Sequence, residues 1–246
     1  MKQHWVLPKQ GDADFVWAME DVLEVYKRPY DPKRPAVNVD EASKQLVADI
    51  TPPLPMRPGQ PERMDYEYER RGTANLFMLF EPLAGWRHVK VTDRRTKLDF
   101  AEVLKDLSDV HYPHAEKIVL VMDNLNTHKL SVLYAAYPPE EARRLGERFE
   151  VHYTPKHASW LNIAECELSV LSRQCLDRRI ESKALLENEV RAWEQERNQQ
   201  TVRVDWQFTT RRRPHQTEAT LSRASTGHLN AIRPLVDSHH ADPSIP

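Results

Sequence analysis

The sequence predicts an α/β fold, a mixed sheet with flanking helices, from three patterns. The apolar run Ile118–Met122 does not alternate with polar residues, which is typical of a strand buried on both faces. Residues 74–92 hold two apolar segments around a turn with proline and glycine, which predicts a β-hairpin. Apolar residues at helical spacing separate the later strands, and this order favours parallel strands added to the hairpin.

In chain order, the first predicted element is a helix over residues 12–27, with Phe15, Met19 and Val22 on one side. After a proline-flanked linker, a strand is expected to end at Asp40 and to lead into a turn. A proline-rich loop and the hairpin follow. The later elements are a helix at 97–111, a strand at 118–122, a helix broken by two prolines at 130–148, a strand at 149–155, a helix at 159–176 capped by Ser159, and a last helix at 182–198.

Composition excludes several classes of protein. The 35 basic and 37 acidic residues nearly cancel, so no overall charge indicates a nucleic-acid partner. No apolar run is long enough to span a membrane, and no signal peptide opens the sequence. Cys166 and Cys175 would lie about 13 Å apart on one helix, too far for a disulfide. These observations predict a reduced, cytoplasmic chain without a membrane partner.

Three carboxylates occupy comparable positions in this predicted order. Asp40 and Asp123 each follow a strand, and Glu165 lies on the helix after the fifth strand. Neighbouring strands are about 4.8 Å apart, so acids at two strand ends can share a metal ion. Carboxylate oxygens suit Mg²⁺, and two such ions about 4 Å apart can assist a displacement at phosphorus.

Each acid also has a structural interpretation. Asp123 would serve equally well as a helix cap. Either Asp40 or Glu41 would be a solvated turn residue. On a helical wheel, Glu165 borders the apolar side of its helix, whereas Glu167 is expected to meet solvent.

Three segments resemble the catalytic blocks of DDE transposases, in the bacterial insertion-sequence branch of the mariner superfamily. They are "VNVDEASKQL", "VLVMDNLNTH" and "YTPKHASWLNIAECELSVLSRQ", and the resemblance covers roughly residues 12–210. It implies a ribonuclease-H-like fold, and a catalytic and metal-binding role for Asp40, Asp123 and Glu165 with Mg²⁺ or Mn²⁺, two ions in all. The resemblance further implies that the protein cleaves DNA at transposon ends and joins these ends to target DNA. It also implies that the protein acts as a homodimer or paired complex, associated with the nucleoid.

The same blocks contain further polar positions with less specific roles. Asn124 and His128 belong to the second block, and His157, Trp160 and Asn162 to the third. Trp160 is interpreted as core packing and Asn162 as a hydrogen-bond partner of the backbone. The histidines stay open between a supporting role and a structural one, with His128 as a residue at a helix start.

The chain departs from the family pattern in two ways. Between Asp123 and Glu165 lie 41 residues, several more than mariner relatives have, and the excess is interpreted as an insertion at "PPEEARRLGERFE". The helix-turn-helix modules that the resemblance implies before the catalytic domain do not fit into this chain. We therefore interpret the chain as truncated, with residues 1–35 as a linker helix and linker and residues 36–210 as the catalytic domain.

Residues 211–246 are interpreted as a frameshifted, poorly ordered tail. A one-base shift in an allowed back-translation of residues 212–222 restores the basic ending that the resemblance implies. The clusters of arginine and histidine in this tail are then accidental.

Two local basic groups are candidates for DNA contact: Arg94, Arg95 and Lys97, and Arg173, Arg178 and Arg179. For each residue a solvated surface position is an equally good interpretation. Two other functions stay open at this point. One is a ribonuclease-H-like nuclease that cuts without joining, and the other is an inactive remnant that binds DNA or dimerises.

Overall fold

The computed structural model describes residues 13–125, 128–156, 158–206 and 232–235. Its main strands are β1 (Ala36–Asp49), β2 (Tyr68–Glu81), β3 (Trp86–Thr92), β4 (Ile118–Met122) and β5 (Phe149–Tyr153). They form one sheet in the order β3-β2-β1-β4-β5. Strand β2 is antiparallel to β1 and β3, and β4 is parallel to β1 and β5. The predicted mixed sheet is confirmed.

Helices cover both faces of this sheet. They are α1 (Ala13–Lys27), α2 (Lys97–Asp106), α3 (Val132–Ala136), α4 (Pro139–Gly146), α5 (Ile163–Leu171) and α6 (Lys183–Gln199). The predicted break between α3 and α4 is confirmed at the two prolines, because proline cannot donate the hydrogen bond of a helix interior. No described helix combines the length and the apolar composition that a membrane crossing requires.

Strand β4 is buried on both faces, as its composition predicts. Ile118, Leu120 and Met122 pack in the cluster that contains α2, α3 and α4. Val119 and Val121 pack on the opposite side, against α1. A strand in the middle of two helical layers has no face that needs polar residues.

Two predicted boundaries are wrong. Strand β1 does not end at Asp40 but continues to Asp49, because the antiparallel pairing with β2 extends from Asn38 to Asp49. The helix predicted from Ser159 begins at Ile163 instead, after a short 3₁₀ turn at Ser159–Leu161. Its cap is Asn162 rather than Ser159, because the Asn162 side chain accepts the hydrogen bond from Ala164 N.

Beyond the main sheet, β6 (Arg203–Trp206) and β7 (Ile232–Leu235) pair with each other as antiparallel strands. The expected boundary near Thr210 and most of the expected tail lie outside the described residues. Both cysteines are free, as their predicted separation implies.

Candidate active site

Asp40 and Asp123 lie at the same edge of the sheet. The parallel pairing of β1 with β4 ends with Asn38 opposite Val121, and each acid lies two residues past this pair. Although β1 continues beyond Asp40, β4 stops at Met122, so the sheet edge is set by β4. The structure therefore brings Asp40 and Asp123 to one edge of the sheet, although β1 does not end at Asp40.

The third acid, Glu165, lies in the first turn of α5. The start of this helix is attached to β1 through Asn162, whose Nδ2 donates to the carbonyl of Val39 at 2.8 Å. The Asn162 Oδ1 accepts from Ala164 N at 3.2 Å. The buried side chain of Asn162 therefore links Val39, which precedes Asp40, to Ala164, which precedes Glu165.

Replacing Asn162 with alanine is expected to destabilise the fold by about 2–3 kcal/mol, because it removes a helix cap and leaves the buried Val39 carbonyl unpaired. Ser182→Ala is the matched control, since Ser182 caps α6 from an exposed position through Leu185 N. That variant is expected to lose only about 1 kcal/mol. Urea unfolding measures both, and equal losses would contradict the role of the bond to Val39.

The three acids influence one another electrostatically. Burial raises the pKa of Asp40 to about 6, against the backbone hydrogen bond from Glu41 N, and the negative charges of Asp123 and Glu165 raise this pKa further. Like charges in a desolvated site disfavour ionisation. The site is thus a concentration of negative charge that a cation would relieve.

Asp123 is held by His128 rather than capping a helix. The ring Nδ1 of His128 is hydrogen-bonded to Asp123 Oδ1, and its Nε2 lies 2.8 Å from Glu41 Oε1. Burial alone would lower the pKa of His128, but the hydrogen bonds to Asp123 and Glu41 raise it to about 9. The capping interpretation of Asp123 and the helix-start interpretation of His128 are both wrong, because α3 begins only at Val132.

Glu41 is a residue that sequence reasoning missed. The sequence leads us to expect that either Asp40 or Glu41 is solvated, yet the Glu41 side chain is only 6% exposed. The available signal was strand periodicity: two adjacent acids within one strand point to opposite faces of the sheet. That argument required the strand to continue past Asp40.

The donor set fits a hard divalent cation in its chemistry, because all three acids offer carboxylate oxygens. Asp123 Oδ2 accepts no hydrogen bond from the described residues, and the Asp123 side chain is 30% exposed. Within the described ranges, however, no three acidic, histidine or cysteine side chains are arranged to hold one ion as they stand. Water and substrate phosphate are the usual additional ligands of such ions.

The remaining predicted positions have different surroundings. Asn124 is exposed beside Asp123, where it is accessible to a ligand. Trp160 is partly buried against the cluster formed by α1, in line with its interpretation as packing. His157 lies outside the described residues.

The expected exposures of Glu165 and Glu167 are reversed. Glu165 is exposed, whereas Glu167 is 3% exposed. Glu167 accepts two hydrogen bonds from Arg197, at 2.8 and 3.1 Å, and its Oε1 lies 2.9 Å from Arg87 Nε. The expectation was wrong because a helical wheel does not show the partners that other elements supply. The guanidinium groups of Arg87 on β3 and Arg197 on α6 compensate for the burial of Glu167.

The basic residues divide into two groups. Arg94 and Arg95 are exposed in the connection from β3 to α2, Lys97 is exposed at the first position of α2, and Arg173 is exposed after α5. By contrast, Arg178 pairs with Glu189. Arg179 pairs with Asp49 and donates to the carbonyls of Asp65 and Glu67, so it holds the connection between β1 and β2.

Comparisons with known proteins agree with this architecture. A family model described as DDE superfamily endonuclease matches residues 35–187. No curated protein matches significantly. The crystal structure of the Mos1 strand transfer complex is similar with a TM-score of 0.53 and 12% identity, over 82% of this chain and 64% of that chain. The likeness extends to the fold, which is ribonuclease-H-like as expected.

A second crystal structure, the Mos1 mariner paired-end complex with Mn, is similar with a TM-score of 0.49 and 16% identity. The match covers 82% of this chain and 62% of that chain. The chain therefore spans less than two thirds of the length of these solved structures.

Proposed function

Because the chain belongs to the DDE superfamily endonuclease family, we propose that it is the catalytic domain of a transposase of the insertion-sequence type. The observation that supports this most directly is the shared sheet edge of Asp40 and Asp123, with Glu165 close enough to raise the pKa of Asp40. The motif resemblance supports the finer assignment to the mariner superfamily.

In this proposal, Asp40, Asp123 and Glu165 hold a pair of Mg²⁺ or Mn²⁺ ions. When bound, such ions activate an attacking oxygen and neutralise charge on a phosphate. The chain's own contribution is to place three carboxylates on β1, on the end of β4 and on α5. Rigid elements hold such groups more precisely than loops do.

The proposed reaction has two stages. In the first, the oxygen of water attacks a backbone phosphorus at the end of the mobile element, and the bond from this phosphorus to the 3′ oxygen breaks. The freed 3′-hydroxyl oxygen then attacks a phosphorus of the target DNA, so one phosphodiester bond forms as another breaks. A cleavage assay and a joining assay on the same oligonucleotides would separate a transposase from a nuclease that only cuts.

DNA is the proposed partner, bound by two copies of the chain. The exposed side chains of Arg94, Arg95, Lys97 and Arg173 are available for its phosphates. The segment with the first three follows β3, which ends at the same side of the sheet as β4. Contacts of this kind position a duplex without reading its sequence.

Asp123→Asn is expected to weaken Mn²⁺ binding about 100-fold or more, because it removes a charged ligand from the site. Calorimetric titrations of the full chain with Mn²⁺, with and without a short DNA duplex, measure this directly. Asp106→Asn is the control, since Asp106 is the last residue of α2 and pairs with Lys90. This variant is expected to bind Mn²⁺ as the wild type does. Failure of the wild type to bind Mn²⁺ under either condition, or equal affinity in Asp123→Asn, would refute the proposed function.

A further inference from the structure

A chain of three side chains runs from the interior of the domain to the candidate site. Glu41 contacts the Nε2 of His128 at 2.8 Å, and the Nδ1 of the same ring is hydrogen-bonded to Asp123. The side chain is 6% exposed for Glu41, 1% exposed for His128 and 30% exposed for Asp123. Only the last member reaches the solvent-accessible edge.

The histidine in the middle is held from several directions. The Phe100 ring on α2 lies with its centroid 4.8 Å from that of His128. The hydroxyl of Tyr153 on β5 donates to the backbone carbonyl of His128 at 2.9 Å. An imidazole fixed in this way transmits the position of one neighbour to the other, because the ring has little freedom to rotate.

Among the described residues, His128 is the side chain that compensates the burial of the Glu41 carboxylate. Within the described part of the chain, this carboxylate accepts no other side-chain or backbone hydrogen bond. Burying a carboxylate is unfavourable unless a cationic or donating partner compensates for the lost hydration. A residue that served packing alone would be apolar at this position, because Glu41 shares a face of β1 with Val37 and Val39, which pack in the core.

We propose that Glu41 is a positioning residue, which acts through His128 to fix the carboxylate of Asp123, while Asp123 Oδ2 accepts no hydrogen bond from the residues that the structure describes. This inference rests on the proposed function, since it concerns the orientation of a metal-binding carboxylate. Outer partners of this kind commonly change metal affinity 10- to 100-fold when removed.

Glu41→Gln keeps the size of the side chain and removes its charge. We expect the folded variant to bind Mn²⁺ about 10- to 100-fold more weakly than the wild type, in the calorimetric titration described above. Glu194→Gln is the matched control, because Glu194 makes a similar contact with His88 Nδ1 at 3.0 Å on α6 and β3. This control is expected to bind Mn²⁺ as the wild type does.

A second measurement on the wild type requires no variant to fold. In the metal-free chain labelled with ¹⁵N-histidine, a ring N–H of His128 is expected to give a slowly exchanging proton signal by NMR, since the ring is buried and lies between two carboxylates. Rapid exchange of the ring protons of His128 would overturn the inference, because the chain from Glu41 to Asp123 would then be broken.

The outcomes separate this inference from the function on which it rests. A wild type that binds no Mn²⁺ refutes the proposed function and this inference together. Binding by the wild type with equal affinity in Glu41→Gln refutes the positioning role alone. A variant that loses stability while its folded form keeps full affinity likewise assigns Glu41 to the fold and overturns the inference.

Discussion

Glu167→Gln is expected to lower the free energy of unfolding by about 3–5 kcal/mol, because it leaves two guanidinium groups facing each other without the charge between them. Arg87 is fully buried, and burial lowers its pKa to about 10 against the opposing effect of Glu167. Arg87 also donates to the carbonyl of Val202 at 2.7 Å, so this side chain connects β3 with the segment after α6. Loss of the Glu167 charge would therefore weaken the contacts among β3, α5 and α6.

The control lies two residues away on the same helix. Glu165→Gln changes an exposed acid to its amide and is expected to alter stability by no more than about 0.5 kcal/mol. Urea unfolding of both variants, monitored by tryptophan fluorescence, gives the two free energies. Equal stability of the two variants would show that the buried cluster of Arg87, Glu167 and Arg197 contributes little to the fold.

Asp40→Asn is expected to have opposite effects on stability and on function. At pH 7 we expect the variant to be more stable than the wild type by about 1–2 kcal/mol, a value reduced to allow for partial exposure. Folding raises the pKa of Asp40 from 3.8 to about 6, through burial and then through Asp123 and Glu165. The ionised form is thus disfavoured in the folded chain, and asparagine removes this cost.

The sign of the pH dependence follows from the same shift. An acid whose pKa is higher in the folded state destabilises the fold above pH 6, and this penalty disappears as the pH falls towards 3.8. The difference between wild type and Asp40→Asn should therefore shrink between about pH 7 and about pH 4. Denaturation curves at several pH values measure it, and a variant less stable than the wild type at pH 7 would contradict the argument.

Addition of Mn²⁺ should reverse the order of the two proteins. If Asp40 is a ligand, Mn²⁺ raises the Tm of the wild type by mass action and leaves Asp40→Asn unchanged. The cost of an ionised Asp40 is then a cost of function, as is common for catalytic groups. Asp106→Asn serves again as the control and should respond to Mn²⁺ like the wild type.

Much of the fold could be predicted because its signals are local. The apolar run of β4, the hairpin of β2 and β3, and the two prolines between α3 and α4 each lie within a short segment. The two aspartates could be placed at one edge because parallel neighbours align their strand ends. By contrast, the end of β1 could not be predicted, since it depends on how far the distant β2 continues to pair.

The sequence by itself determined the main helices and strands, their order along the chain and the edge of the sheet at which Asp40 and Asp123 lie. Only the tertiary structure decided how the acids are partnered. Glu41 meets His128 across 87 positions of the chain, and Glu167 is buried by arginines from β3 and α6. Periodicity reports the face on which a side chain lies, but the stability of a buried charge depends on partners that only the folded chain brings into contact.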